Sequence, residues 1–410
     1  MRTAPRARAV AATATALTAA LLLTACGGGD DSADASNGTG GGENTAEPTE
    51  ADETSEVVEA NEPLVLTHDG GLRILDGDTL EVVHEIELDG FNRVNPVGDD
   101  RHVMVSTAEG FRVLDAVNGE LTDVTFPGEK PGHVVHHAGV TVLFTDGTGE
   151  VTMFDTDALG DGEPEVETHM SDEPHHGVAI KLSTGELVTT LGTEEERTGI
   201  VVLDADGEEV ARNEDCPGVH GEATARDEAV VVGCQDGVLV YRDGAITKVD
   251  SPDDYGRIGN QSGSEESAIV LGDYKSDPDA DLERPERIAL IDTESGELRL
   301  VDLDSSYTFR SLARGPHGEA LVLGTDGSVH VIDPEAGEVV NSIPVIEEWE
   351  EPMEWQQPRP AIFVRDHTAY VTDPDGRAVH AVHVESGEIL ASAELPDSPN
   401  EISGVILDAH

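Results

Sequence analysis

IALIDTESGELRLV, residues 288–301, is an apolar run ending in Asp, a polar turn containing Gly, and a second apolar run. Such a unit reads as two antiparallel strands joined by a tight turn. It recurs along the chain. The other copies are LRILDGDTLEVVHEIEL (72–88), FRVLDAVNGELTDV (111–124), VTMFDTDALGDGEPEVE (151–167), IVVLDADGEEVA (200–211), VLVYRDGAITKV (238–249), VHVIDPEAGEVV (329–340) and AVHVESGEILASA (381–393). Eight copies, about forty to fifty residues apart and with no useful helix-period stretch between them, indicate a β-propeller.

Each copy reads as strands C and D of a blade. Strand B precedes it, as in HVMVST (102–107), VTVLFTD (140–146), AVVVGCQDG (229–237), EALVLGTDG (319–327) and TAYVTDPDG (368–376). Strand A, the innermost, precedes B. Blade one has a B strand at LVLT (64–67) with no A strand before it, while EISGVIL (401–407) ends the chain as an orphan strand. Pairing the two closes the ring and removes an open sheet edge. The expected fold is all-β: an eight-bladed β-propeller over residues 63–410, closed by the C-terminal strand.

Residues 1–25 read as a signal segment. Arg2, Arg6 and Arg8 form a basic start, an Ala/Leu-rich stretch follows, and Leu23-Thr24-Ala25-Cys26 resembles a lipoprotein lipobox. Cleavage before Cys26 and lipid on its sulfur would tether the protein to the extracytoplasmic face of a bacterial membrane. Residues 26–62, rich in Gly, Ser, Thr, Asn and acidic side chains and without aromatics, read as a flexible acidic linker.

The chain carries 85 Asp+Glu against 24 Lys+Arg, a formal net charge of −61. Such a surface repels phosphate backbones and anionic headgroups, which excludes nucleic acid as a partner and leaves lipid as the expected membrane contact. Acidic residues scattered over the turns also suit solubility in a salty habitat. A monomer is expected.

Counting back from strand B to the start of strand A places three histidines at matching positions: His133 in PGHVVHHAG, His176 in EPHHGVA and His220 in CPGVHGEA. A lone histidine at a strand start is normally a turn or packing residue. Three at equivalent places in consecutive blades converge on the channel, and neutral imidazoles with room for a fourth ligand suit zinc. His136, His175, Glu222 and Glu401 are candidates for the fourth position. His137 neighbours His136 but points to the opposite face of the strand. In the remaining blades the position falls near Arg93, Arg257, Arg310 and Arg359, so arginines are expected on the other side of the rim. His317 falls in an A–B turn and reads as structural. His68, His84, His102, His330, His367, His380 and His383 fall in outer strands or turns and are expected at the surface. Because imidazoles bind metal only when neutral, zinc occupancy at this site is expected to fall as pH drops through about 6.

Lipidation of Cys26 leaves Cys216 and Cys234 of the three cysteines. In an oxidising compartment the pair reads first as a disulfide. A thiolate metal site is the alternative, because Cys216 stands four residues before His220. Cys234 ends strand B and Cys216 enters strand A of the same blade. No nucleophile elbow, P-loop or dinucleotide fingerprint is present, and Asp204-Ala205-Asp206-Gly207 reads as a hairpin turn, not a calcium loop.

FNRVNPVGDDRHVMVS (91–106), the three histidine motifs, CPGVHGEA with its cysteine pair, TDGSVHVIDP (325–334) and AYVTDPDG (369–376) together resemble the AztD family of periplasmic zinc metallochaperones. The resemblance covers residues 63–410. It implies a propeller that is not an enzyme, that binds zinc through His133, His176 and His220, and that delivers zinc to the solute-binding protein of a zinc ABC transporter. Many family members carry a His-rich N-terminal segment, whereas residues 27–62 here contain no histidine. Two other readings fit the bare residues. One is a propeller lyase or hydrolase using a channel histidine as base and an arginine clamp. The other is a metal-free scaffold or ligand-binding lipoprotein.

Overall fold

The structure, a computed structural model, describes residues 58–407. The expected signal segment, Cys26 and the linker up to residue 57 lie outside the described residues. Among the described residues no helix is long and apolar enough to cross a membrane. The backbone N–H of Ala60, a buried residue, donates to Val117 O, so the chain is already seated on the domain ahead of residue 63.

Eight antiparallel sheets follow one another, each built on four strands in the order A-B-C-D. The fifth gains a short parallel addition, Gly256–Arg257, beside its C strand. The inner strands of blades two to eight begin at Arg93, Pro131, Ala179, His220, Gln261, Leu312 and Ile362. That of blade one is Ile402–Gly404, which pairs antiparallel with Leu64–His68 in the register Leu64↔Gly404. The eight-bladed propeller and its C-terminal closure are both present.

The turn that identifies the repeat has a local cause. In blade six the Asp292 carboxylate accepts the N–H groups of Glu294 and Ser295, at 2.8 and 3.0 Å. Gly296 then takes φ +71°, which a side chain at that position would resist. Asp333 repeats the arrangement in blade seven with Glu335 and Ala336. Asp204 accepts from Asp206 and Glu208, so its Asp-rich stretch is a hairpin turn.

Strands B and C are buried on both faces, as in Ala229–Cys234, because adjacent blades cover each side of the sheet. The outer D strands, such as Glu338–Pro344, are almost wholly exposed. The core therefore lies between blades, and functional side chains are left to the strand ends that line the channel.

Cys216 and Cys234 are joined in a disulfide, with Cα atoms 4.9 Å apart and a sequence separation of 18. It pins the segment that leads into His220 to the end of strand B of blade five. Closing a loop of this size contributes about 3 kcal/mol on the chain-entropy model. Replacing both cysteines by alanine should lower the urea-unfolding free energy by about that amount, and reduction of the wild type should give the same loss. Equal stability of the variant and the oxidised wild type would deny the bond that role.

Candidate metal centre

His133, His176 and His220 meet at one rim of the channel, with one ring nitrogen of each within 4.8 Å of the others. They come from three different blades. His133 is the third residue of the inner strand Pro131–His137, His176 lies in the loop before Ala179–Lys181, and His220 opens His220–Ala225. Ring centroids are 4.9 to 5.4 Å apart.

Two glycines make the convergence possible. Gly132 sits in a bulge ahead of Val134, and a side chain there would lie 2.2 Å from the Asp146 carboxylate. Gly221, at φ +68°, forms the bulge between His220 and Glu222 that turns His220 toward the rim.

The orientation of the rings decides their chemistry. His176 Nδ1 is 2.5 Å from Asp146 Oδ2, and His220 Nδ1 is 2.5 Å from the Gly259 carbonyl oxygen. Both partners only accept, so each Nδ1 carries a proton, and in the neutral ring each Nε2 carries a lone pair. Those two Nε2 atoms face one another at 3.0 Å. Two lone pairs at that distance repel, and a cation between them removes the repulsion. Tetrahedral zinc with Zn–N bonds of about 2.0–2.1 Å places ligand atoms roughly 3.3 Å apart, close to the separation found. A histidine whose far nitrogen donates to a carboxylate or carbonyl is the usual support of a metal ligand.

Burial holds the imidazoles neutral. His133 is pushed well below the ordinary range by desolvation and then by His220 and His176. His220 is pushed down to about 3 by desolvation, assisted by His176 and opposed by its bond to Gly259. Arg93, Arg197 and Arg257 press in the same direction. Near the triad Arg197 and Arg257 stand with the carboxylate of Asp146, while Arg93 is paired with Glu401.

None of the four candidates for a fourth ligand stands with the triad. Both ring nitrogens of His175 are engaged, Nδ1 by Glu173 O and Nε2 by Thr190 Oγ1. Glu401 is ion-paired to Arg93 and Arg310. His136 and Glu222 line a cavity of about 850 Å³ in the channel, with Asn95, Gln261 and Ile406. Desolvation pushes His136 down to about 4 and the Glu222 carboxyl up to about 8, so both are neutral at pH 7. His137, on the other face, bonds Glu228 at 2.6 Å.

The expected row of rim arginines is not one cluster. Arg93 and Arg310 clamp Glu401, Arg359 is buried against Glu351, and Arg257 lies beside the triad. His102 and His330, expected at the surface, are buried, because Asp99 satisfies the first and Ser342 with Asp326 the second. Asp146, Gly259 and Arg197 were not among the residues singled out by sequence. Asp146 follows strand B of blade three in a Thr-Asp-Gly turn like many others, and only the packing of blade four beside blade three brings it to His176.

Fold and site define a class: an eight-bladed propeller with three histidines converging on its channel rim. No protein-family model matches the chain. The zinc chaperone AztD of Citrobacter koseri is 28% identical to it over 271 residues, which is 64% of this chain and 62% of that protein. The match thus spans less than two thirds of the relative's length. The structure of apo AztD from Citrobacter koseri superimposes with a TM-score of 0.72 at 22% identity, over 84% of this chain and 96% of that one. A second crystal structure of Citrobacter koseri AztD gives 0.72 at 21% identity, over 85% and 98%. The dihydro-heme d1 dehydrogenase NirN, in complex with DHE, gives 0.56 at 14% identity, over 84% and 76%. The resemblance to AztD holds in sequence and in fold.

Proposed function

We propose that this protein is a zinc carrier, not an enzyme, holding one Zn²⁺ on His133, His176 and His220. The observation that carries the reading is the pair of Nε2 lone pairs 3.0 Å apart, each fixed by a hydrogen bond at the far nitrogen. Three imidazoles bind firmly, and a fourth position open to solvent or to an incoming side chain gives a route for ligand exchange. The recipient is the solute-binding protein of a zinc ABC transporter, and lipid on Cys26 keeps the carrier at the extracytoplasmic membrane face. Similarity to a zinc chaperone supports this reading.

The test is transfer. Zinc-loaded protein is mixed with an apo zinc-binding protein of such a transporter, and the transfer rate is compared with release to an excess of small chelator. Transfer well above spontaneous dissociation is expected. A rate equal to dissociation would leave a zinc-binding protein that is not a chaperone.

Acid sensitivity follows from the depressed histidines. Protons displace metal only below the pKa of the metal-free ligand. At pH 5.5 an ordinary imidazole loses about tenfold in its neutral fraction, whereas His133 and His220 lose almost none. The contribution of His133 and His220 to zinc affinity should therefore stay nearly constant between pH 7.5 and 5.5. Ordinary values at those two residues would add roughly a hundredfold. Competition titrations at the two pH values decide between them, and the release near pH 6 expected of free imidazoles is replaced by release at lower pH.

A further inference from the structure

A second set of histidines stands at the other end of the blades. His317 lies in the A–B turn of blade seven and His367 in the A–B turn of blade eight, and Glu385 lies in the C–D turn of blade eight. A–B and C–D turns share one face of a propeller, whereas the triad sits where the A strands begin. We propose that His317, His367 and Glu385 form a second, exchangeable site for a divalent metal of the zinc class, on the face opposite the triad. This rests on its own residues and not on the reading of the triad.

The three side chains offer one ligand atom each within 4.8 Å of the others. His317 Nε2 is 3.2 Å from Glu385 Oε1, and His367 Nδ1 is 3.4 Å from Glu385 Oε2. Each carboxylate oxygen faces a different imidazole. Charge-assisted hydrogen bonds between such groups run to about 2.7–2.9 Å. The 3.2 Å from His317 Nε2 to Oε1 instead approaches the roughly 3.3 Å edge of a tetrahedral zinc site, and the second oxygen stands 3.4 Å from His367. Two imidazoles and one carboxylate are a complete protein ligand set for zinc with a position left for water.

The surroundings hold the set in place. His383 stacks on His367 with ring centroids 5.8 Å apart and planes inclined by 22°. Its Nδ1 accepts the Ser386 N–H, and Gly387 N–H donates to its carbonyl, which fixes the hairpin that presents Glu385. The equivalent A–B turns of blades three and four are Ala138-Gly139 and Ser183-Thr184-Gly185, so histidine is not demanded by the turn itself. All three ligands are about half exposed or more. Metal there exchanges with solvent, and the negative field of a chain at −61 raises its local concentration.

The test is a zinc titration of the full chain in 0.5 M NaCl, which suppresses loose binding to scattered carboxylates, with Co²⁺ absorption as a second readout. The wild type should take up two ions, one tight and one weaker. His317→Gln with His367→Gln should weaken the second ion at least tenfold and remove its Co²⁺ band while leaving the tight one. Glu385→Gln should also weaken it. His220→Ala should do the reverse. A wild type that binds no second ion, or a double variant that keeps it, overturns the proposal. Loss of the His220-dependent ion alone would count against the carrier reading and leave this site standing.

Discussion

Zinc affinity should fall on the order of 10²–10³-fold when His220 is replaced by alanine, while the propeller keeps its stability within about 1 kcal/mol. The size follows from sharing about 10–16 kcal/mol of structural zinc binding among a handful of ligands, so that one imidazole accounts for roughly 3–4 kcal/mol. The insensitivity of the fold follows from position. His220 lies on the rim, is kept neutral by burial, and takes no part in the apolar contacts between blades. His133→Ala and His176→Ala should behave alike. Asp146→Asn, which replaces a carboxylate partner of His176 by a neutral amide, should cost about tenfold. His136→Ala should cost nothing, because its ring lines the cavity and stands apart from the triad. Competition titrations against a chelator of known strength measure all five. Equal losses at His136 and His220 would move the site, and unchanged affinity in all three triad variants would remove it.

The blades were legible because their turns are chemical and local. An Asp that accepts two backbone N–H groups and a Gly at positive φ mark the C–D hairpins of blades four, six and seven, and both are visible in one sequence. The triad was legible through the repeat: counting back from strand B brought His133, His176 and His220 to one rim, although His176 sits before its strand and not in it. What supports the triad was not legible. Asp146 is 30 residues from His176, and Gly259 is 39 residues from His220 on the next blade. A carbonyl has no sequence signal, and Asp146 looks like any turn residue. The second histidine group was missed for a similar reason. His317 and His367 were read singly, each as an ordinary turn or surface residue, and their shared carboxylate belongs to a hairpin whose approach only the ring geometry reveals.

Glu401, a candidate ligand by position, has a structural task whose loss should be the largest single effect on folding. It is the last residue before the closing strand, and its Oε1 accepts Arg93 Nε at 3.0 Å and Arg310 Nη2 at 2.9 Å. Its Oε2 accepts the Val94 N–H, and its own backbone pairs with Thr67 through both N–H and carbonyl. One carboxylate thus ties the closing strand of blade one to blades two and seven. Arg310 is buried, and desolvation pushes its guanidinium down to about 10 with Glu401 opposing the shift. Removing one partner of a buried pair leaves the other charge uncompensated and costs about 3–5 kcal/mol. Glu401→Ala should lose that much in urea unfolding. Arg93→Ala should lose no more than about 1 kcal/mol, because Arg93 is 43% exposed and water replaces its partner. The contrast tests whether ring closure depends on the buried pair or on the strand alone. If Glu401→Ala and Arg93→Ala cost the same, backbone pairing between residues 402–404 and blade one is sufficient and the arginine clamp is incidental. If Glu401→Ala destabilises, Arg93→Ala does not, and Glu401→Gln recovers little of the loss, the carboxylate charge paired with buried Arg310 is what seals the seam between the two ends of the folded chain.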